Sequence, residues 1–343
     1  MKPDKAGSWH PGDAQLGWII ENRLDETYLL SWPSPLEIYV PLHDTGGYDR
    51  ARAPMGSYDF RLDQIKGTAS LHSGNQMKIS FRTPALHPRK NVDFTMVYFD
   101  LRSGSIADPV YKFSSTKLDE VCTRAGDDWT FVANRSGLAR DRAAKYQLSV
   151  RELAASHGWS TVPPKSPGER TLRSVAAAGE GVSSHPVEVS AFFRRHFDAQ
   201  FLETATGDEM LMAAQPDVFG RHRVAFLKST GHWASLSIHG GTFTGSTQLI
   251  QANIHTASFF PHPQHYILVQ HYFRERREWY PWSWLIRSTD FAKLARGKGP
   301  YLLFTTTLNP QHVNRWRPYR IPTSHAASVF QAALHGSFAR KAA

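Results

Sequence analysis

Between Gln15 and Leu30 the apolar residues Leu16, Ile19, Ile20, Leu24 and Tyr28 recur near helical spacing, which predicts an amphipathic helix ended by Pro33 and Pro35. From Leu36 to Leu42 the period changes to two, with Ile38, Val40 and Leu42 on one face, and a strand is expected. The same pattern predicts strands at Tyr58–Lys66 and Met77–Phe81, a buried strand over Phe94–Phe99, and short ones at Val110–Phe113 and Trp129–Ala133. A helix capped by Ser or Thr is expected over Ser115–Cys122, and helical character resumes from Val150 to Ala155.

The stretch Ser156–Pro186 changes texture, with Pro163, Pro164 and Pro167 among Gly and Ser, and reads as a linker. The chain then repeats itself at a shift of 173 residues. Ser115-Thr116 falls on Ser288-Thr289, Phe131 on Phe304, Arg142 on Arg315 and Tyr146 on Tyr319, while Gly67 falls on Gly240 and Leu24, Tyr28 and Leu29 on Phe197, Phe201 and Leu202. A one-residue slip lays Phe94, Met96 and Val97 on Tyr266, Leu268 and Val269. The expected organisation is a loose arm at 1–13, one domain at 14–155, a linker at 156–186 and a second copy of the domain at 187–337.

At 343 residues, two domains are the better expectation, and 41% hydrophobic with 20% charged residues is an ordinary globular composition. No apolar run of membrane-spanning length occurs and Met1–Lys5 lacks an apolar signal core, so a cytoplasmic protein without membrane contact is expected. The single cysteine, Cys122, agrees with a reducing compartment and excludes an intramolecular disulfide framework or a cysteine-built zinc site. A net charge of +10 favours an anionic partner, of which nucleic acid is the commonest. Arg274, Arg276 and Arg277 interleave with Trp279, Tyr280, Trp282 and Trp284, and Arg315, Arg317 and Arg320 flank Trp316 and Tyr319. Such clusters can neutralise phosphates and stack on bases, although alternating tryptophans also suit a strand packed on a core. The run His255, His262, His265, His271 has metal-compatible spacing on a proline-rich, loop-like stretch. No phosphate-binding glycine loop, dinucleotide fingerprint or serine-nucleophile elbow is present.

The chemistry concentrates at His43-Asp44-Thr45-Gly46-Gly47-Tyr48-Asp49 and, about fifteen residues later, Gln64-Ile65-Lys66. Alternate strand residues share a face, so Gln64 and Lys66 project together while Asp63 and Ile65 point away. An acid, an amide oxygen and an ammonium at one spot suit metal-assisted phosphodiester hydrolysis. Each residue also has a plainer reading: Asp44 and Asp49 as hairpin-turn residues, Gln64 as a strand amide, Lys66 as a solvated lysine, and Glu21 as an exposed helix glutamate.

An Asp-x-Gly-Gly-x-Asp turn followed by a strand ending in Gln-x-Lys resembles the PD-(D/E)XK nuclease superfamily, in its Mrr-like variant with Gln in place of the second acid. Glu21, within Gly17–Leu24, matches the family's helix glutamate. The resemblance implies two tandem α/β domains of restriction-endonuclease-like type, each a central mixed sheet flanked by helices. It implies Asp49 and Gln64 as ligands of Mg²⁺ or Mn²⁺, with the Ile65 carbonyl as a third, Glu21 orienting a metal-bound water, and Lys66 positioning the nucleophile. The implied activity is cleavage of double-stranded DNA in restriction, defence or repair. At the 173-residue shift Glu21 becomes Arg194, Asp49 becomes His222, Gln64 becomes Ser237 and Lys66 becomes His239, while Asp44 keeps its type as Asp217. One candidate active site is therefore expected, in the first half. The second copy would bind DNA, pair with the first or form a dimer surface. A non-catalytic nucleic-acid-binding or assembly module is the alternative.

Overall fold

Helix α1 spans Asp13–Ser31 in the computed structural model of the protein, which describes residues 12–33, 36–42, 48–72, 75–82, 88–136, 141–159, 185–215, 222–244, 249–273, 276–309 and 311–337. Gln15 reaches back to the Gly12 N–H at the helix start, and at its end Trp32 turns extended ahead of Pro33. The chain divides into two compact units, Met1–Pro163 and Pro164–Ala343.

In the first unit α1 is followed by β1 (Leu36–Pro41), β2 (Arg50–Pro54), β3 (Arg61–Thr68), β4 (Gln76–Arg82), β5 (Val92–Asp100) and β6 (Ser105–Ser114). A 3-10 turn then leads into α2 (Leu118–Val121), β7 (Thr123–Ala125), β8 (Asp128–Asn134) and β9 (Gln147–Leu148). The main sheet runs β1-β2-β3-β5-β6-β9 and is mixed: β3 and β5 are parallel and the other neighbours antiparallel. β4, β8 and β7 form a separate antiparallel sheet. Ile20, Leu24, Tyr28 and Trp32 of α1 pack with Ile65, Val97, Phe99 and Val110 of the main sheet. Phe94, Met96, Tyr111 and Phe113 pack instead with Met77, Ile79 and Phe81 of β4 and Trp129, Phe131 and Ala133 of β8. β5 is thus covered on both sides, which is why its sequence is apolar almost without interruption. The expected flanking by helices holds for one face only; the other is covered by the small antiparallel sheet.

The second unit contains α3 (His185–Thr204), β10 (Glu209–Gln215), β11 (Arg223–Leu227), β12 (Trp233–Gly240), β13 (Thr242–Thr244), β14 (Leu249–His255), β15 (His265–Gln270), β16 (Tyr272–Phe273), β17 (Glu278–Trp279) and β18 (Trp282–Arg287). It continues with α4 (Ser288–Leu294), β19 (Arg296–Lys298), β20 (Tyr301–Thr307), β21 (Arg320–Pro322) and α5 (Ala326–Leu334). Its main sheet, β10-β11-β12-β15-β18-β21, has the strand order and directions of the first, with the β12–β15 pair parallel. β2, β4, β7 and β8 recur as β11, β14, β19 and β20 at an offset of 173 with no change in length. The parallel register repeats as well: Leu62 opposes Val92 and Ser235 opposes His265. No slip is needed at β5, where Phe94 and Met96 correspond to the core residues Ile267 and Val269.

One further detail fixes the helix against the sheet in both units. A Cβ on Gly67 would lie 2.3 Å from Ile20 Cδ1, and one on Gly240 would lie 2.3 Å from Phe193 Cε2. The helix approaches its strand through a glycine because no side chain fits between them. The proposed linker start at 156 is too early. His157 and Trp159 are buried in the first unit, where the Trp159 indole donates to the Asp59 carbonyl 3.1 Å away.

Candidate active site

β2 has the sequence Arg-Ala-Arg-Ala-Pro, without a β-branched residue, yet all five positions are buried. Its arginines explain this. Arg50 donates through Nε to Asp25 Oδ2 (2.7 Å) and through Nη1 to Glu21 Oε2 (2.8 Å), while Arg52 donates to Asp25 Oδ1 (2.6 Å) and to Asp63. Arg52 also lies over the Tyr28 ring, 4.2 Å from its centroid. These contacts tie α1 to β2 and β3, and removing one member of such a buried pair leaves an uncompensated charge costing ~3–5 kcal/mol.

Asp49, immediately before β2, points to the opposite side of the strand from Arg50. Its N–H donates to the Asp63 carbonyl (2.8 Å), continuing the β2–β3 ladder by one bond. Beyond that bond β3 has lost its β2 neighbour, and the Asp49 carboxylate takes the place of the missing strand. Oδ2 accepts from the Ile65 N–H (2.6 Å), Gln64 Nε2 (3.0 Å) and Lys66 Nζ (3.4 Å). The N–H and C=O of one strand residue point the same way, so the Ile65 carbonyl is directed to this side too. Glu21 joins from α1 through Arg50, which also donates to the Asp49 carbonyl (2.7 Å). Burial raises the Glu21 carboxyl above its ordinary range; Arg50 and Lys66 oppose the shift and the Asp49 charge adds to it.

Glu21, Asp49, Gln64, Ile65 and Lys66 are therefore together. Asp44 and His43 of the glycine turn lie outside the described residues. Two carboxylates, one amide and one backbone carbonyl make an all-oxygen donor set of the kind hard divalent cations prefer. Among the described residues no group of three His, Cys, Asp or Glu is arranged for a metal, so a cation at this site would depend on Gln64 and Ile65 besides the two acids. The Asp49 carboxylate fits such a role through Oδ1, since Oδ2 already serves three donors. The histidines weighed as metal ligands are engaged separately: His265 with Ser235 (2.9 Å), His271 with the Gly241 carbonyl (2.7 Å), His262 with the Gln264 N–H (3.1 Å) and His255 against the Tyr301 ring.

Behind the site lies a second buried cluster that the sequence did not suggest. Lys112 Nζ reaches His157 Nδ1 (2.8 Å), Ser156 Oγ (3.0 Å) and Asp93 Oδ2 (3.5 Å), and His157 Nε2 meets the Tyr28 hydroxyl (3.1 Å). Burial pushes the Lys112 ammonium down to about 8 against the pull of Asp63 and Asp93, and burial with the Lys112 charge holds His157 well below its usual value.

The second unit keeps the frame and changes the chemistry. Arg223 pairs with Asp198 through two 2.7 Å bonds and donates to the His222 carbonyl (2.7 Å), as Arg50 does to Asp25 and the Asp49 carbonyl. The His222 N–H bonds the Leu236 carbonyl (2.9 Å), and the Ile238 N–H donates to His222 Nδ1 (2.8 Å) where Ile65 donates to Asp49. Identical Asp25/Asp198 and Arg50/Arg223 pairs at the 173-residue shift were a signal available from sequence alone.

No family model, curated protein or solved structure matches this chain. Of the basic residues expected to meet nucleic acid, Arg274 lies outside the described residues. Arg276 stacks on Phe273 and pairs with Glu278 (3.0 Å), Arg277 occupies a left-handed turn conformation (φ 54°), and Arg320 lies over Trp282. Arg315 lies over Trp316, its charge disfavoured by burial and by neighbouring Arg296, while Arg317 opens the 3-10 turn before β21. No helix among the described residues is long and apolar enough to cross a membrane.

Proposed function

We propose that the first unit is a divalent-metal-dependent endonuclease acting on DNA, with its site at Glu21, Asp49, Gln64 and Lys66. The observation that carries this reading is the convergence on Asp49 Oδ2 of Gln64, the Ile65 N–H and Lys66, at the end of a strand that leaves the Ile65 carbonyl facing the same place. Asp49, Gln64 and the Ile65 carbonyl would hold Mg²⁺ or Mn²⁺, which would supply charge stabilisation for the phosphate under attack. Lys66 places its ammonium beside the phosphate and offsets negative charge that develops on it. Glu21, whose carboxyl is raised by burial and restrained by Arg50, holds a water and accepts its proton. The +10 net charge and the Arg296–Arg315 neighbours favour a polyanionic substrate.

Gln64 also favours a second reading. It presents Nε2 to Asp49, and a neutral amide is a weaker ligand than a carboxylate, as expected if the scaffold binds nucleic acid without cutting it. Incubation of supercoiled plasmid with the protein in Mg²⁺ or Mn²⁺ separates the two. Nicking that Asp49→Ala and Lys66→Ala both abolish supports the nuclease. Salt-dependent retardation without nicking transfers the assignment to the binding module.

A further inference from the structure

Where the first unit buries the Lys112 cluster, the second buries apolar side chains. Tyr28, Asp93, Lys112 and His157 fall at the 173-residue shift on Phe201, Tyr266, Leu285 and Phe330, all four of them core residues. The strand registers agree, since Thr95 opposes Lys112 as Leu268 opposes Leu285. The ring contact with the first helix is kept as well: Tyr28 lies 5.3 Å from His157 and Phe201 lies 6.4 Å from Phe330, centroid to centroid. Each contact returns the last segment of its unit, the 3-10 turn Ala155–His157 or helix α5, to that helix. In the second unit the segment is held by hydrocarbon and aromatic packing, which carries no proton. In the first it is held through an ammonium and an imidazole.

We propose that the Lys112–His157 contact is an acid-released latch holding Ser156–Trp159 against the body of the first unit. Lys112 Nζ lies 2.8 Å from His157 Nδ1 and 2.9 Å from Nε2, so one ring nitrogen must stay unprotonated to accept from the ammonium. A second proton makes both nitrogens donors. The ammonium then loses its acceptor and meets a like charge at contact distance, away from water. Asp93 Oδ2 stands 3.5 Å from both Lys112 Nζ and His157 Nδ1, one carboxylate for two cations. The Tyr28 hydroxyl, on the α1 side, brings no charge. The latch also carries Trp159, which stacks on His157 at 4.2 Å, meets Trp32 edge-on at 5.4 Å and donates its indole N–H to the Asp59 carbonyl.

The wider field acts in the same direction. Burial is the largest influence and holds the docked imidazole well below its ordinary value; Lys112 of β6, Arg52 of β2 and Arg61 of β3 add to it, and Asp63 of β3 opposes them. Asp63 is itself paired with Arg52. An undocked His157 returns to the ordinary value near 6.5, so below that pH the open segment binds a proton that the docked one does not. Docking therefore weakens as pH falls, and the ratio of open to docked segment rises by up to tenfold per pH unit. The latch is independent of cleavage and survives if the first unit proves inactive.

The test is hydrogen exchange on the full chain by NMR at pH 7 and pH 5. It is followed at the Trp159 indole N–H and at the Gly158 amide, which bonds the Ala155 carbonyl at 3.1 Å. Protection factors at both should fall by ~25-fold between the two pH values, while the amides of α5 in the second unit keep theirs. His157→Gln offers Lys112 an amide oxygen and takes no second proton, so its protection should be equal at the two pH values. Lys112→Leu with His157→Phe, the second unit's own residues at these places, carries the same expectation and stands in should the glutamine fail to dock. In the wild type the His157 ring resonances should titrate over the range in which protection is lost. Protection that does not change with pH, that falls together with that of α5, that falls without titration of His157, or that falls as steeply in the variants overturns the proposal.

Discussion

Replacing Asp49 by histidine transplants the second unit's own solution into the first, and it separates the structural work of this residue from its chemistry. Asp49 Oδ2 serves three donors, of which the Ile65 N–H at 2.6 Å replaces a missing strand. In the second unit His222 Nδ1 accepts the corresponding Ile238 N–H at 2.8 Å. Asp49→His therefore retains that backbone bond. It gives up the contact with Lys66, worth less than ~1 kcal/mol for a partly exposed pair, and leaves the buried Gln64 amide to find a new acceptor, for a total of ~1–2 kcal/mol. Asp49→Ala leaves both the Ile65 N–H and the Gln64 amide without an acceptor and should cost ~3 kcal/mol. In melting of the first unit the two substitutions should differ, with losses of about 5 °C and about 10 °C. Both should abolish metal-dependent nicking, because neither supplies a carboxylate to the cation. If Asp49→His proves as destabilising as Asp49→Ala, the equivalence of Asp49 and His222 is wrong. If Asp49→His still nicks with Mg²⁺, Asp49 is not the ligand.

Two further outcomes follow from the same framework. Gly67→Ala and Gly240→Ala should both destabilise by overpacking, by ~1–3 kcal/mol, with Gly240→Ala the worse: its Cβ meets three atoms of the rigid Phe193 ring at 2.3–3.0 Å, whereas the closest neighbour of the Gly67 Cβ is the flexible tip of Ile20, with Val97 Cγ2 next at 3.0 Å. Chemical denaturation of the two variants tests that order, and equal costs would refute the rigid-ring explanation. Lys112, lowered to about 8 in the fold, is protonated in the unfolded chain up to about pH 10.5, so the unfolded state binds more protons in this window and stability rises with pH. Between pH 8 and 9 Lys112 alone should contribute a gain of ~1 kcal/mol. The buried Cys122 thiol, pushed up to about 12, works the other way and already offsets part of that gain in the same window, because in the unfolded chain it loses its proton there. Lys112→Met should flatten the rise between pH 8 and 9 in a series of denaturation curves; an unchanged slope would show that Lys112 is charged in the fold at pH 9.

The elements that apolar periodicity revealed are those whose buried faces are apolar. α1 was expected at Gln15–Leu30 and runs Asp13–Ser31, and the strands expected at Leu36–Leu42, Met77–Phe81, Phe94–Phe99 and Trp129–Ala133 lie within a residue or two of β1, β4, β5 and β8. β3 begins at Arg61, three residues later than expected, because Ser57–Phe60 forms no ladder. β2 escaped altogether. Its inward residues are Arg50 and Arg52, which read as surface positions until their carboxylate partners Asp25 and Asp63 are known, and those lie 25 and 11 residues away in sequence.

The candidate site shows the same division between what is local and what is not. That Gln64 and Lys66 share a face follows from the two-residue period of one strand, and both side chains do reach Asp49. What the period cannot show is that β2 stops pairing at Arg50, leaving the Ile65 N–H for Asp49 to satisfy. This makes Asp49 a structural acceptor whether or not it holds a metal. Its conversion to His222 in the second unit is then intelligible: the replacement had to accept a backbone N–H at the same place, and a neutral imidazole does so without a carboxylate. The fold constrains this position to a hydrogen-bond acceptor but not to an acid, so the two units can differ in charge here without a change of scaffold.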